Sequence, residues 1–116
     1  MTKILVIDDD SFIRKLLRRA LENKKFEVIE ASNGLEGIEK FEKNSFDLVI
    51  TDFQMPGIDG NGVAKHIRNS KRGKTPVVGI SGTPWLLEDN DFDAILEKPT
   101  SMKKLVDTVT RIAQSN

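Results

Sequence analysis

A chain of 116 residues, 38% hydrophobic and 31% charged, is long enough to bury a real core and is neither disordered nor fibrous. Its 18 basic and 18 acidic residues cancel, which leaves no electrostatic footprint for nucleic acid or an anionic membrane surface. With no Cys there is no disulfide framework, thiolate metal site or cysteine nucleophile, and the apolar run Ile4–Ile7 is too short for a signal peptide or a membrane span. The expectation is one cytoplasmic domain over residues 1–116, with no membrane and no direct nucleic-acid partner.

Strand one is read at about Lys3–Asp8, an apolar run without alternation, as in a parallel strand covered on both faces. Ile13, Leu16, Leu17, Ala20 and Leu21 then recur at helical spacing, and Asp10 or Ser11 can cap this first helix through a side-chain oxygen. Phe26–Ala31 reads as strand two, with Phe26, Val28 and Ala31 inward and Asn33-Gly34 as the turn behind it. Leu35, Ile38 and Phe41 mark a short second helix, weakened by Gly37. Asp47–Asp52 is strand three; its apolar run ends in a carboxylate, and the chain then breaks at Pro56-Gly57. Val63, Ala64 and Ile67 give a third helix, and Arg68, Lys71, Arg72 and Lys74 form a basic end with Gly73 as its stop. Strand four is Pro76–Ser81. Gly82–Asp91, with Pro84 and Trp85, is the least regular part and has room for one or two helical turns. Phe92–Glu97 is strand five, ended by Lys98-Pro99. Met102, Leu105, Val106, Val109, Ile112 and Ala113 make a strong last helix, with Thr100 or Ser101 as its cap.

Alternating strands and helices predict an α/β fold, a doubly wound five-stranded parallel sheet with helices on both faces. Right-handed crossovers leave few topologies, and the flavodoxin-like order 2-1-3-4-5 sets strands one and three side by side. That adjacency brings Asp8, Asp9 and Asp52 to the carboxyl edge of the sheet, where such folds place their ligand sites. In an ideal strand Asp8 and Asp9 point to opposite faces, so both reach one site only where the strand unwinds into its loop.

At an effective dielectric near 20, each pair of carboxylates ~4 Å apart costs on the order of 4 kcal/mol. A compensating cation is therefore expected, and an all-oxygen set without His or Cys favours Mg²⁺. Lys98 supplies a second cation within reach of an anion above Asp52, and Ser81 a hydroxyl at the tip of strand four. A metal, an ammonium and a hydroxyl around a carboxylate nucleophile make a phosphoryl-transfer site.

At this point the chain resembles a known family, the receiver domain of bacterial response regulators. The match covers nearly all of it and is carried by Asp8-Asp9 after an apolar strand, by Asp52 with Met55-Pro56 and Asp59-Gly60 behind it, by Ser81, and by Lys98-Pro99. The resemblance implies that Asp52 takes a phosphoryl group from a histidine kinase or histidine phosphotransfer protein. It implies that Asp9, Asp52 and the backbone carbonyl of Gln54 hold Mg²⁺, with Asp8 helping through water. It implies too that Ser81 and Lys98 bind phosphate oxygens and that Lys98-Pro99 is a cis peptide. The output is a downstream protein or a fused output domain.

Two departures from the family pattern stand out. Where the family usually carries an aromatic switch residue, three positions before the lysine, this chain has Ile95, which has no ring to swing. The span from Ser81 to Lys98 is short by about one helical turn, which implies a shortened or irregular fourth helix and a non-standard output surface that Trp85 can cover. The expected function is thus a phosphorylatable signalling module of a two-component phosphorelay. It is not an enzyme toward other substrates, but it catalyses its own aspartyl phosphorylation and dephosphorylation. Two alternatives stand beside it. Asp8-Asp9-Asp10 also fits the opening of a haloacid-dehalogenase-like phosphatase with Asp8 as nucleophile, though such a reading leaves Asp52 without a role. The other is a receiver-like binding module that works without phosphate. His66, beside Lys65 on the third helix, reads as a surface residue.

Overall fold

The computed structural model describes residues 2–82, 91–98 and 100–114. In chain order these form β1 (Lys3–Ile7), α1 (Ser11–Glu22), β2 (Glu27–Ala31), α2 (Gly34–Lys43), β3 (Leu48–Asp52), α3 (Gly60–Arg68), β4 (Val77–Ser81), β5 (Ala94–Glu97) and α4 (Met102–Gln114). The strands are all parallel, in the order β2-β1-β3-β4-β5. This is the doubly wound, flavodoxin-like sheet expected from the alternation of elements. The fourth helix expected within Gly82–Asp91, with Trp85, and the cis peptide expected at Pro99 fall on residues 83–90 and 99, outside the described residues.

Every residue of β3 and β4 is buried, which is why their sequences run apolar without alternating. One face of the sheet carries Ile4, Val6, Ile50 and Val78 against Leu17 and Leu21 of α1 and Leu105 and Val109 of α4. The other carries Leu5, Ile7, Val49 and Val77 against Phe41 of α2 and Val63, Ala64 and Ile67 of α3. Each such side chain contributes roughly 1.5–3 kcal/mol on full burial, so β1 and β3 are pinned between two layers and their carboxyl ends have little freedom.

Several local expectations are corrected. Ile13 and Leu16 of α1 are each 36% exposed, because α1 meets the sheet along a narrow Leu17–Leu21 stripe. Asn33-Gly34 is the start of α2 and not a separate turn: the Asn33 side chain accepts from the Glu36 amide at 2.8 Å. Leu35 of α2 is 58% exposed, while Gly34 and Gly37 are buried. A Cβ on Gly37 would lie 2.4 Å from Ile7 Cδ1, so this glycine lets α2 approach β1 and does more than weaken the helix. Helix α3 ends at Arg68 with Asn69 as cap, ahead of Gly73; Arg68 Nη1 bonds the carbonyls of Gly73 and Thr75 and holds the turn behind it. Of the two candidate caps for α1, Asp10 serves, and Ser101 caps α4.

Candidate functional site

The site begins where β1 stops. The β1–β2 ladder closes at Ile7 and Ala31, and the Asp8 amide makes one further bond to the Ala31 carbonyl at 3.1 Å. Asp10 then caps α1, its Oδ1 accepting from the Phe12 and Ile13 amides at 2.9 and 3.2 Å, while its own amide donates to Asp8 Oδ1 at 2.9 Å. Asp8 and Asp9 therefore both lie past the strand, where the two-residue alternation no longer separates them. Each of Asp8, Asp9 and Asp52 offers a carboxylate oxygen, and the three oxygens lie within 4.8 Å of one another.

Asp52 is the last residue of β3, level with Ile80 of β4. Its Oδ1 receives the Lys98 ammonium at 2.9 Å and the Gln54 amide at 3.4 Å. Lys98 is aimed by its backbone, whose amide donates to the Ser81 carbonyl at 2.8 Å. Ser81 itself is buried at the tip of β4, level with Glu97. Behind Asp52, Asp59 caps α3 by accepting from the Gly62 amide at 2.9 Å. A Cβ on Gly60 would stand 2.7 Å from the Asp52 carbonyl, so Asp59-Gly60 brings the start of α3 against the residue at the centre of the site.

Asp8 is 4% exposed, and its carboxyl is pushed up to about 6. Burial is the main cause; the Asp10 amide opposes it, Asp52 repulsion adds to it, Lys98 offsets part, and Asp9 adds a little. Three crowded oxygen donors with no His or Cys fit a hard divalent cation. The carboxylates and Lys98 open on a cavity of about 730 Å³ with an apolar wall that includes Ile13, Leu17, Ile80 and Leu105.

Sequence reasoning missed Arg14 and Glu30. Arg14 Nη1 donates to the Asp8 carbonyl at 2.8 Å and its Nε to Glu30 Oε1 at 2.9 Å; Arg18 Nη1 reaches the other Glu30 oxygen at 2.8 Å. Hydrogen bonds from Arg18 above all, and from Arg14, hold the Glu30 carboxyl below its usual range against the cost of burial. Nothing in the spacing of Arg14 along α1 separates it from a solvated surface arginine. Ile95 sits half-buried on β5, level with Gly79, while the rings of Phe53 and Phe92 lie 4.5 Å apart and close over Gly79. His66 is at the surface, 2.5 Å from Glu42.

Comparison with known proteins agrees with this picture. A family model described as response regulator receiver domain matches residues 4–110. The transcriptional regulatory protein ResD of Bacillus subtilis (strain 168) is 46% identical over 80 residues, which are 69% of this chain and 32% of that protein. The chain thus spans about a third of the length of such curated relatives. Among solved structures it is similar to the chemotaxis protein CheY4 of Vibrio cholerae, with TM-score 0.89 and 29% identity over 97% of this chain and 98% of that one. It is also similar to the response regulator protein TrrA of Thermotoga maritima in complex with Mg(2+)-BeF, with TM-score 0.87 and 33% identity over 97% and 99%.

Proposed function

The chain belongs to the response regulator receiver domain family of two-component systems, and from that premise we propose that Asp52 accepts a phosphoryl group from a histidine kinase or histidine phosphotransfer protein in the cytoplasm. The observation that carries the reading is the Lys98 ammonium 2.9 Å from Asp52, whose carboxylate converges with those of Asp8 and Asp9. A carboxylate oxygen of Asp52 attacks the phosphorus of the donor phosphohistidine. The P–O bond forms as the P–N bond breaks, and the departing imidazole nitrogen takes up a proton from solvent. Lys98 then shifts its ammonium to a phosphoryl oxygen and Ser81 donates its hydroxyl to another. Asp8, Asp9, Asp52 and the backbone carbonyl of Gln54 are the groups that would hold Mg²⁺, Asp8 in part through water. When bound, Mg²⁺ supplies the positive charge that offsets the phosphoryl oxygens.

Loss of the Lys98 contact with Asp52, and the new anion beside Ser81, then change the surface around β4 and β5, Ile95 included. A downstream protein or a fused output domain reads that change. The resemblance to a structure solved with Mg(2+)-BeF supports the metal and the acyl-phosphate part of this reading.

The test is intact mass after incubation with Mg²⁺ and acetyl phosphate, wild type beside Asp52→Asn. The expected result is one phosphoryl adduct on the wild type, labile to hydroxylamine, and none on Asp52→Asn. An adduct that survives in Asp52→Asn and maps to Asp8 would favour the phosphatase reading, and the absence of any adduct a module that works without phosphate.

A further inference from the structure

The peptide that joins Asp8 to Asp9 links two of the three convergent carboxylates, and its orientation decides whether they share a site or splay to opposite faces. That peptide lies beyond the last rung of the β1–β2 ladder at Ile7–Ala31. The peptide before it is tied through the Asp8 amide to the Ala31 carbonyl, and its own carbonyl, that of Asp8, accepts from Arg14 at 2.8 Å. We infer that Arg14, braced by Glu30, is a positioning residue that fixes the Asp8–Asp9 peptide plane and so holds both carboxylates toward a divalent cation, an inference that rests on the acceptor reading above.

The brace is stiff. The Arg14 and Glu30 side chains are 14% and 18% exposed, and their Nε–Oε1 pair is 2.9 Å apart. Glu30 is itself held at three points: one carboxylate oxygen by Arg14, the other by Arg18, and its carbonyl by Lys40 Nζ at 2.5 Å. A guanidinium presents its N–H donors in a planar fork and can span a carbonyl and a carboxylate at fixed geometry; an ammonium on a flexible stem cannot. The carboxylate of Glu30 also occupies the Nε edge of this guanidinium, whose Nη1 grips the Asp8 carbonyl.

Charge alone predicts the opposite of positioning, which makes the inference testable. Removing a cation near a divalent-ion site should tighten binding if only Coulomb energy acts. Loss of a group that orients the ligands should weaken it, by roughly tenfold for partners of this kind. The experiment is calorimetric titration of Mg²⁺ into the whole chain, with circular dichroism to establish folding, for wild type, Arg14→Ala, Arg14→Lys and Arg18→Ala. Arg14→Ala and Arg14→Lys should each bind Mg²⁺ about tenfold more weakly. Arg18→Ala, which removes an arginine from Glu30 but not from Asp8, should stay within about threefold of wild type. Unchanged or tighter binding by Arg14→Ala overturns the inference, as does an equal loss in Arg18→Ala; if Arg14→Ala does not fold, Arg14→Lys decides by the same criterion. A wild-type chain that binds no Mg²⁺ overturns the acceptor reading and this inference with it, whereas a wild type that binds beside an equally tight Arg14→Lys overturns this inference alone.

Discussion

Asp8 carries a thermodynamic signature that can be read without any phosphodonor. Its carboxyl is raised from the ordinary 3.8 to about 6, chiefly by burial. A raised carboxyl binds a proton more tightly in the folded chain than in the unfolded one. Its contribution to stability is therefore fully present below about pH 4 and lost as pH rises through about 6. Without divalent cations, wild type should lose on the order of 1–2 kcal/mol over that window relative to Asp8→Asn, which has no such proton to give up. Urea denaturation of both proteins in chelator at pH 4.5 and pH 7.5 checks this, and equal pH dependence would count against it. The three aspartates and Lys98 were legible as candidates because strand ends and residue chemistry announce them. Arg14 was not, because its acceptor is a main-chain carbonyl six residues away that leaves no mark in the sequence.

The elements were legible where the hydrophobic period is strong and less so where glycine makes the contact. Leu35, one of the three apolar residues that mark α2 in the sequence, is exposed, since Gly34 and Gly37 supply the close face of the helix. Gly79 does similar work inside β4. A Cβ there would lie 2.6 Å from Phe53 Cε2 and 3.0 Å from Phe92 Cδ1, so the pairing of Phe53, directly after Asp52, with Phe92 depends on a bare backbone at β4. Gly79→Ala should destabilise the fold by about 1–3 kcal/mol, as overpacking does. The midpoint of chemical denaturation should fall with little change in slope, and a midpoint at or above wild type would show that the rings yield freely. Ile95, where the family usually has an aromatic residue, lies level with Gly79 on the next strand.

At the scale of the whole molecule, the sheet order brings together tips that are far apart in sequence, and ligand binding there should report on global stability. A cation that binds the folded chain at a hundred times its dissociation constant adds about 2.7 kcal/mol by mass action. For a domain of this size that corresponds to a rise in Tm of on the order of 10 °C. Differential scanning calorimetry with saturating Mg²⁺ against chelator measures it. The rise should vanish in Asp9→Asn with Asp52→Asn, and a double variant that keeps it would place the cation elsewhere. What the sequence by itself determined, among the described residues, is the five strands and four helices, the parallel sheet and the carboxylates at its edge, because burial period and strand ends are local properties of the chain. What only the tertiary structure decided is how Asp8 and Asp9 turn to one side, which face of α2 meets the sheet, and which carbonyl Arg14 grips. Those outcomes depend on backbone groups and close approaches between distant segments, and such contacts have no residue pattern of their own.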